Sequence, residues 1–169
     1  GAMSAYEGFR MESDVKAGGL NQADLTSDDM YYTKAEMKSM IQNYRKLGLD
    51  IIPEFDTPAH SLSFTKVRPD LRFGTTGRQN DHFNLNTKYD ESLAFVESIW
   101  DEYIKGDDPV FDQDTIVNIG TDEYDGQYTE QFRKFTDDLL AYIQDNGNTV
   151  RLWGSLTARS GSTSVRSEG

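Results

Sequence analysis

No cysteine occurs among the 169 residues, so neither a disulfide nor a thiolate metal site is available to the chain. That absence leaves the cellular compartment open. Basic residues are also few: 17 Lys and Arg stand against 29 Asp and Glu, giving a formal net charge of −12, and they form no cluster. Neutralising phosphates needs a basic face, so nucleic acid is excluded as a partner and an anionic membrane surface is disfavoured. No apolar run approaches the roughly 20 residues of a membrane span, and no signal peptide is evident. Gly1-Ala2-Met3 reads as a cloning remnant, so a native start or export signal can have been removed. Internal repeats are lacking too. What is present is the composition of a folded domain: 36% hydrophobic, 12% aromatic and 27% charged, with helix and strand patterns along most of its length.

Residues 6–29 are polar and hold Gly18-Gly19 and Asn21, which predicts a long surface loop. Thr33-Lys34-Ala35-Glu36 has capping-box spacing, and Met37, Met40, Ile41, Tyr44 and Leu47 recur at helical intervals until Gly48, predicting a helix over 34–47 with those residues as its core stripe. A strand over 50–55 follows, then a long polar segment, 56–87, with at most a short helical turn. Leu93, Val96, Ile99, Trp100 and Tyr103 mark a second helix over 91–104, broken by Gly106-Asp107-Asp108-Pro109. A strand at 115–120, a third helix over 130–144 carrying Phe132, Phe135, Leu139, Leu140 and Ile143, and a strand at 149–153 complete the order. Alternation of this kind predicts an α/β fold with about three parallel strands. Residues 157–169 are Ser/Gly-rich and are expected to form a flexible tail.

Two strand ends carry the chemistry. In Asn118-Ile119-Gly120-Thr121-Asp122-Glu123-Tyr124 an apolar run opens into two adjacent carboxylates. Neighbouring strand residues point to opposite sides, so only a kinked strand end lets both reach one small ligand, one orienting it and the other exchanging protons. Ile51-Ile52-Pro53-Glu54-Phe55-Asp56-Thr57-Pro58-Ala59-His60 is likewise an apolar strand running into Glu, Asp and His. Parallel strands that empty into one site give this arrangement. An exposed acidic turn is the bland reading of Asp122-Glu123, a helix-capping ring that of His60, a buried loop carboxylate that of Asp56, and a core filler that of Trp153. His82 has no supporting pattern and is read as a loop residue.

Those segments, in this order and separation, resemble glycoside hydrolase family 20, the retaining β-N-acetylhexosaminidases. Gly8-Phe9-Arg10-Met11-Glu12, Phe83-Asn84-Leu85-Asn86 and Trp153 in Val150-Arg151-Leu152-Trp153-Gly154 extend the likeness, so residues 4–156 are expected to be part of that family's catalytic domain. The resemblance implies a fragment of a (β/α)8 TIM barrel, with the strand at 50–55 as the third of the barrel. Such barrels take about 250 residues. It also implies substrate-assisted hydrolysis of terminal β-linked N-acetylhexosamine or lacto-N-biose, without cofactor or metal. Glu123 would be the general acid/base and Asp122 the orienter of the substrate acetamido group. His60 would tune Glu123, Asp56 would support Asp122, and Trp153 would wall the acetamido methyl. Arg10 and Glu12 would structure their loop. An amino-sugar glycan as partner further implies an extracellular or cell-surface parent protein.

Three positions depart from the family pattern: Asn118 for His, Thr121 for Gly and Ala59 for Gly. The family's second-strand Asp, expected just before Gly8, is missing as well, and with only about three strands the sheet edges are free to self-associate. The fragment alone is therefore expected to be inactive. Two other readings stand beside the glycosidase: a glycan-binding or structural module without catalysis, and a barrel enzyme holding a divalent metal through Glu54, Asp56, His60, Asp122 and Glu123.

Overall fold

The computed structural model describes residues 8–15, 24–74, 80–154 and 159–166. Its first helix, α1 (Lys34–Lys46), starts where the sequence demands. The Thr33 side chain accepts from the Glu36 backbone N–H and the Glu36 side chain accepts from that of Thr33, which satisfies orphan donors at the helix N-terminus. The apolar stripe expected along α1 is only half used. Met37 and Ile41 are buried, whereas Tyr44 and Leu47 are 44% and 74% exposed. Arg45 explains the break, because it turns to the Asp112 carboxylate (2.9 Å) and ties the end of the helix to the body by charge instead of apolar contact.

Three strands follow in parallel, in the order β1 (Glu54–Thr57), β2 (Val117–Gly120), β3 (Val150–Arg151). Regular pairing of β1 begins at Glu54, later than the hydrophobic run predicts, since Pro53 has no N–H to give a ladder. Its carbonyl still accepts from Asn118 N (2.9 Å). The ladder of β3 is short, but Thr149 O and Trp153 N each bond β2, so backbone contact reaches across 149–153. Between Glu54↔Asn118 and Thr57↔Gly120 the register slips by one residue on β1. A bulge of this kind re-aims side chains at a strand end.

The connections are helical: α2 (Leu62–Thr65) and α3 (Tyr89–Ile104) lie between β1 and β2, and α4 (Thr129–Asp145) lies between β2 and β3. These helices and parallel strands give the alternation expected of a piece of a (β/α)8 barrel. Strand residues alternate, so Phe55, Val117 and Ile119 face the helices. Phe55 meets Trp100 at 4.5 Å and Tyr103 at 5.3 Å between ring centroids, and Phe111 stacks on Tyr103 at 4.8 Å. All of these side chains are buried. No described helix is long and apolar enough to cross a membrane.

Two segments read as surface are held in place. Phe9 and Leu25 are buried, with the Phe9 ring 5.4 Å from Phe55 and from Phe64, because residues 9–11 pair with Thr26 and Tyr32. Residues 159–166, expected to be a free tail, strap α4. Arg133 donates to Thr163 O (2.6 Å), Ser162 N and Thr163 N donate to Glu130, Arg166 pairs with Asp137, and Val165 is buried. The rest of the predicted tail, residues 157, 158 and 167–169, lies outside the described residues.

Candidate active site

At the carboxyl end of β2 the backbone turns sharply. Gly120 has φ 70°, Thr121 56° and Glu123 48°, and across the gap His60 has 52°. Three of these are non-glycine residues in the left-handed region, which costs roughly 1–3 kcal/mol each and is characteristic of functional sites. Only glycine fits at 120, since a Cβ there would lie 1.9 Å from Asp56 Oδ1. Thr121 N bonds Thr57 O (3.1 Å), so the kink is stitched to β1. Asn118, on the same strand, is buried and uses its side-chain oxygen to accept from Gly120 N (2.8 Å).

The kink brings both carboxylates to one nitrogen. His60 Nε2 lies 3.1 Å from Glu123 Oε2 and 3.5 Å from Asp122 Oδ1. Glu123 is the more solvent-accessible of the two, its side chain being 66% exposed. Asp56, re-aimed by the bulge, sits behind Asp122. Burial pushes its carboxyl up to about 8, and the charges of Asp122 and Glu54 and a hydrogen bond with Asp122 add to this, while a bond from Thr121 N partly offsets it. Asp56 thus keeps its proton at neutral pH and stands where it can donate to Asp122. One oxygen of each, Asp56 Oδ1 and Asp122 Oδ1, is buried and has no hydrogen-bond partner among the described residues. An acceptor left unmet in a site is available to a ligand N–H.

Trp153 lies at the end of β3, half exposed, with its N–H on Gly120 O (3.0 Å) and its indole Nε1 donating to Glu54 Oε1 (3.0 Å). A cleft of about 280 Å³ opens on the other side of β1, bounded by Arg10, Glu54, Asp56, His60, Ser63 and Phe64. Asp56 and His60 therefore stand between the carboxylate pair and the cleft. Arg10 points to Asp29 and Met30 O, and Glu12 accepts from Lys34 N at the start of α1, so both have loop-structuring partners.

Of the five residues in the divalent-metal reading, Asp56, His60 and Asp122 bring one donor atom each within 4.8 Å of one another. Glu54 is directed to Trp153 and Glu123 stands outside that group. The donor set is one that a divalent cation can use, but a carboxyl that retains its proton to high pH competes with one.

Three neighbours escaped the motif reading. Tyr124 is fully buried beside Glu123, donates to Phe83 O (2.7 Å), accepts from Leu85 N (3.2 Å) and stacks on Phe132. His82 is a loop residue, as read, but a buried one, stacked on Tyr124 at 4.9 Å. Asp81 joins it to His60. Their only sequence signal was the adjacency of Tyr124 to Glu123, because a long loop has no periodicity to read.

Comparison with known proteins agrees with this geometry. The model of the glycosyl hydrolase family 20 catalytic domain matches residues 3–150. Among curated relatives, lacto-N-biosidase of Bifidobacterium bifidum is 24% identical over 145 residues, covering 73% of this chain and 13% of that protein. The human beta-hexosaminidase subunit beta is 31% identical over 113 residues, covering 63% of this chain and 19% of that protein. The chain thus spans under a fifth of either relative. Among solved structures, the Bacteroides fragilis beta-N-acetylhexosaminidase superposes with a TM-score of 0.65 at 16% identity, over 95% of this chain and 36% of that one. Flavobacterium johnsoniae chitobiase gives 0.68 at 19% identity, over 88% and 25%. At these identities the superpositions establish the barrel fold.

Proposed function

The chain belongs to glycosyl hydrolase family 20, and on that premise we propose that it supplies the acid/base and the orienting carboxylate of a retaining exo-glycosidase acting on terminal β-linked N-acetylhexosamine. The observation that carries the reading is the convergence of Glu123 and Asp122 on His60 Nε2 at a left-handed strand end.

Glu123, exposed and able to reach a bound glycoside, protonates the glycosidic oxygen as the bond breaks, and then takes a proton from the attacking water. The nucleophile is the substrate's own acetamido oxygen, so no second carboxylate has to attack the anomeric carbon. Asp122 accepts the acetamido N–H through its unmet Oδ1, which presses the carbonyl oxygen toward the anomeric carbon and balances the positive charge of the cyclised intermediate. Asp56, whose half-buried carboxyl is pushed up to about 8, brings a proton against Asp122 and can donate it there as a hydrogen bond. Trp153, steadied by Glu54, offers an apolar wall to the acetamido methyl.

The names of the relatives, lacto-N-biosidase and beta-hexosaminidase, support two forms of the released unit. In both, the sugar at the cleaved bond carries the acetamido group, so the roles above are common to them. A glycan substrate supports an extracellular or cell-surface setting. The test is hydrolysis of 4-nitrophenyl N-acetyl-β-glucosaminide and of a lacto-N-biose analogue by a barrel-length protein containing this segment. Turnover of either is expected to fall by about 10²- to 10⁴-fold in Glu123→Gln, and an undiminished rate in that variant refutes the assignment. The 169 residues alone are expected to be inactive.

A further inference from the structure

The chain has two histidines, and Asp81 lies between them. Its position is set by backbone. Ser61 N donates to Asp81 O (2.7 Å) and Phe83 N donates to Pro58 O (2.8 Å), so segment 58–61 is zipped to segment 81–83 and the left-handed His60 is delivered to the Asp81 side chain. From this frame Asp81 Oδ1 takes a 2.6 Å bond from His82 Nδ1, and its other oxygen, Oδ2, lies 3.6 Å from His60 Nδ1. The far nitrogen of the same His60 ring, Nε2, is the one that meets Glu123.

His82 is suited to anchoring. It is 3% exposed, its ring is stacked on Tyr124, and its Nε2 is buried with no hydrogen-bond partner among the described residues. An orphaned N–H there, or a buried imidazolium, would cost more than an idle lone pair, which leaves His82 neutral with its one proton on Nδ1. Burial works against ionisation of Asp81, but the bond that it accepts from His82 Nδ1–H outweighs it, and the carboxyl is held below its ordinary range.

We propose that Asp81, gripped by His82, is the positioning residue that holds neutral His60 as its Nδ1–H tautomer, so that Nε2 turns a lone pair to the proton of Glu123. Which ring nitrogen of a histidine keeps its proton is decided by the partner of the other. The 3.6 Å separation is a small rotation from a hydrogen bond, a closure that contacts in ligand-free sites commonly make when substrate arrives. His60 transfers no proton in this scheme. It holds the Glu123 O–H until the glycosidic oxygen takes the proton. Among the described residues, the charged groups around the ring and its cleft are Asp56 and Glu54 on the strand before it, Asp81 from the facing loop, Asp122 and Glu123 from the end of β2, and Arg10 across the cleft.

The catalytic consequence rests on the glycosidase reading, but the tautomer does not. Two histidines make long-range ¹H–¹⁵N spectra of this chain directly assignable, with His82→Phe identifying the second set of signals. In the native chain, neutral His60 is expected to be mainly Nδ1–H, and Asp81→Ala is expected to lower the ratio of Nδ1–H to Nε2–H forms by about tenfold. His82→Phe, which keeps a ring on Tyr124 but offers Asp81 no donor, is expected to move it the same way by less. A dominant Nε2–H form in the native chain, or a ratio unchanged by Asp81→Ala, overturns the proposal. In an active barrel-length protein, Asp81→Ala is expected to lower kcat by about ten- to a hundredfold with KM little changed. An enzyme that proves silent before any substitution refutes the functional reading alone, while the tautomer still decides the role of Asp81.

Discussion

The two ends of one strand pair differ sharply. On the helix side of the sheet, Phe55, Val117 and Ile119 enter a continuous apolar core with Trp100, Tyr103 and Phe111, all buried. Within five residues of these, the same strands run into a bulge, three non-glycine left-handed residues, a carboxyl pushed up to about 8 and two carboxyl oxygens without a hydrogen-bond partner among the described residues. The first region is relaxed and the second is strained. The core supplies the stability that the site spends, and residues one position apart along β1, Phe55 and Asp56, belong to opposite regimes. Alternation in a strand makes that division possible, because adjacent side chains face different surroundings.

Breaking the core side is expected to have the largest effect. Trp100→Ala should lower stability by about 3–5 kcal/mol in denaturant titration, through lost contacts and a cavity among Phe55, Phe111 and their neighbours. A loss well under that range would mean the aromatic cluster is not the main support of the sheet.

The site side is expected to respond in the opposite direction. A carboxyl raised from 3.8 to about 8 keeps its proton in the folded chain where the unfolded chain has released it. Stability therefore falls as pH rises from about 4 to about 8 through this group, by on the order of a few kcal/mol. Asp56→Asn, which cannot ionise, should be more stable than the native chain at pH 8 and should show a flatter pH dependence in thermal melts. An unchanged slope would place the burial of Asp56 in doubt. The smallest effect is local. Glu123→Gly, relieving the left-handed backbone of an exposed residue, should stabilise by about 1 kcal/mol while removing the acid. A destabilised variant would show that the turn carries no strain.

Much of this contrast was legible in the sequence. Apolar runs ending in carboxylates marked both strand ends, and the helical periods read over 91–104 and 130–144, which the structure extends to Tyr89–Ile104 and Thr129–Asp145, marked the core that faces them. Asp81, His82 and Tyr124 were not legible as a unit, because their meeting depends on two backbone hydrogen bonds between loops and on a ring stack, none of which leaves a period. The strap at 159–166 was hidden for a related reason: its Ser and Gly residues read as solvent-seeking, while its partners, Glu130, Arg133 and Asp137, are spaced along one face of α4. Tyr44 and Leu47 mark the reverse failure, an apolar stripe that outruns the surface covering it.

The central claim is that Asp122 and Glu123 act on a sugar that brings its own nucleophile. The direct measurement compares a barrel-length protein containing this segment on 4-nitrophenyl N-acetyl-β-glucosaminide and on 4-nitrophenyl β-glucoside, which lacks the acetamido group, in native form and as Asp122→Asn. The account predicts turnover of the acetamido sugar alone and a marked loss of that turnover in Asp122→Asn. Comparable turnover of both sugars, or indifference to Asp122→Asn, would contradict it.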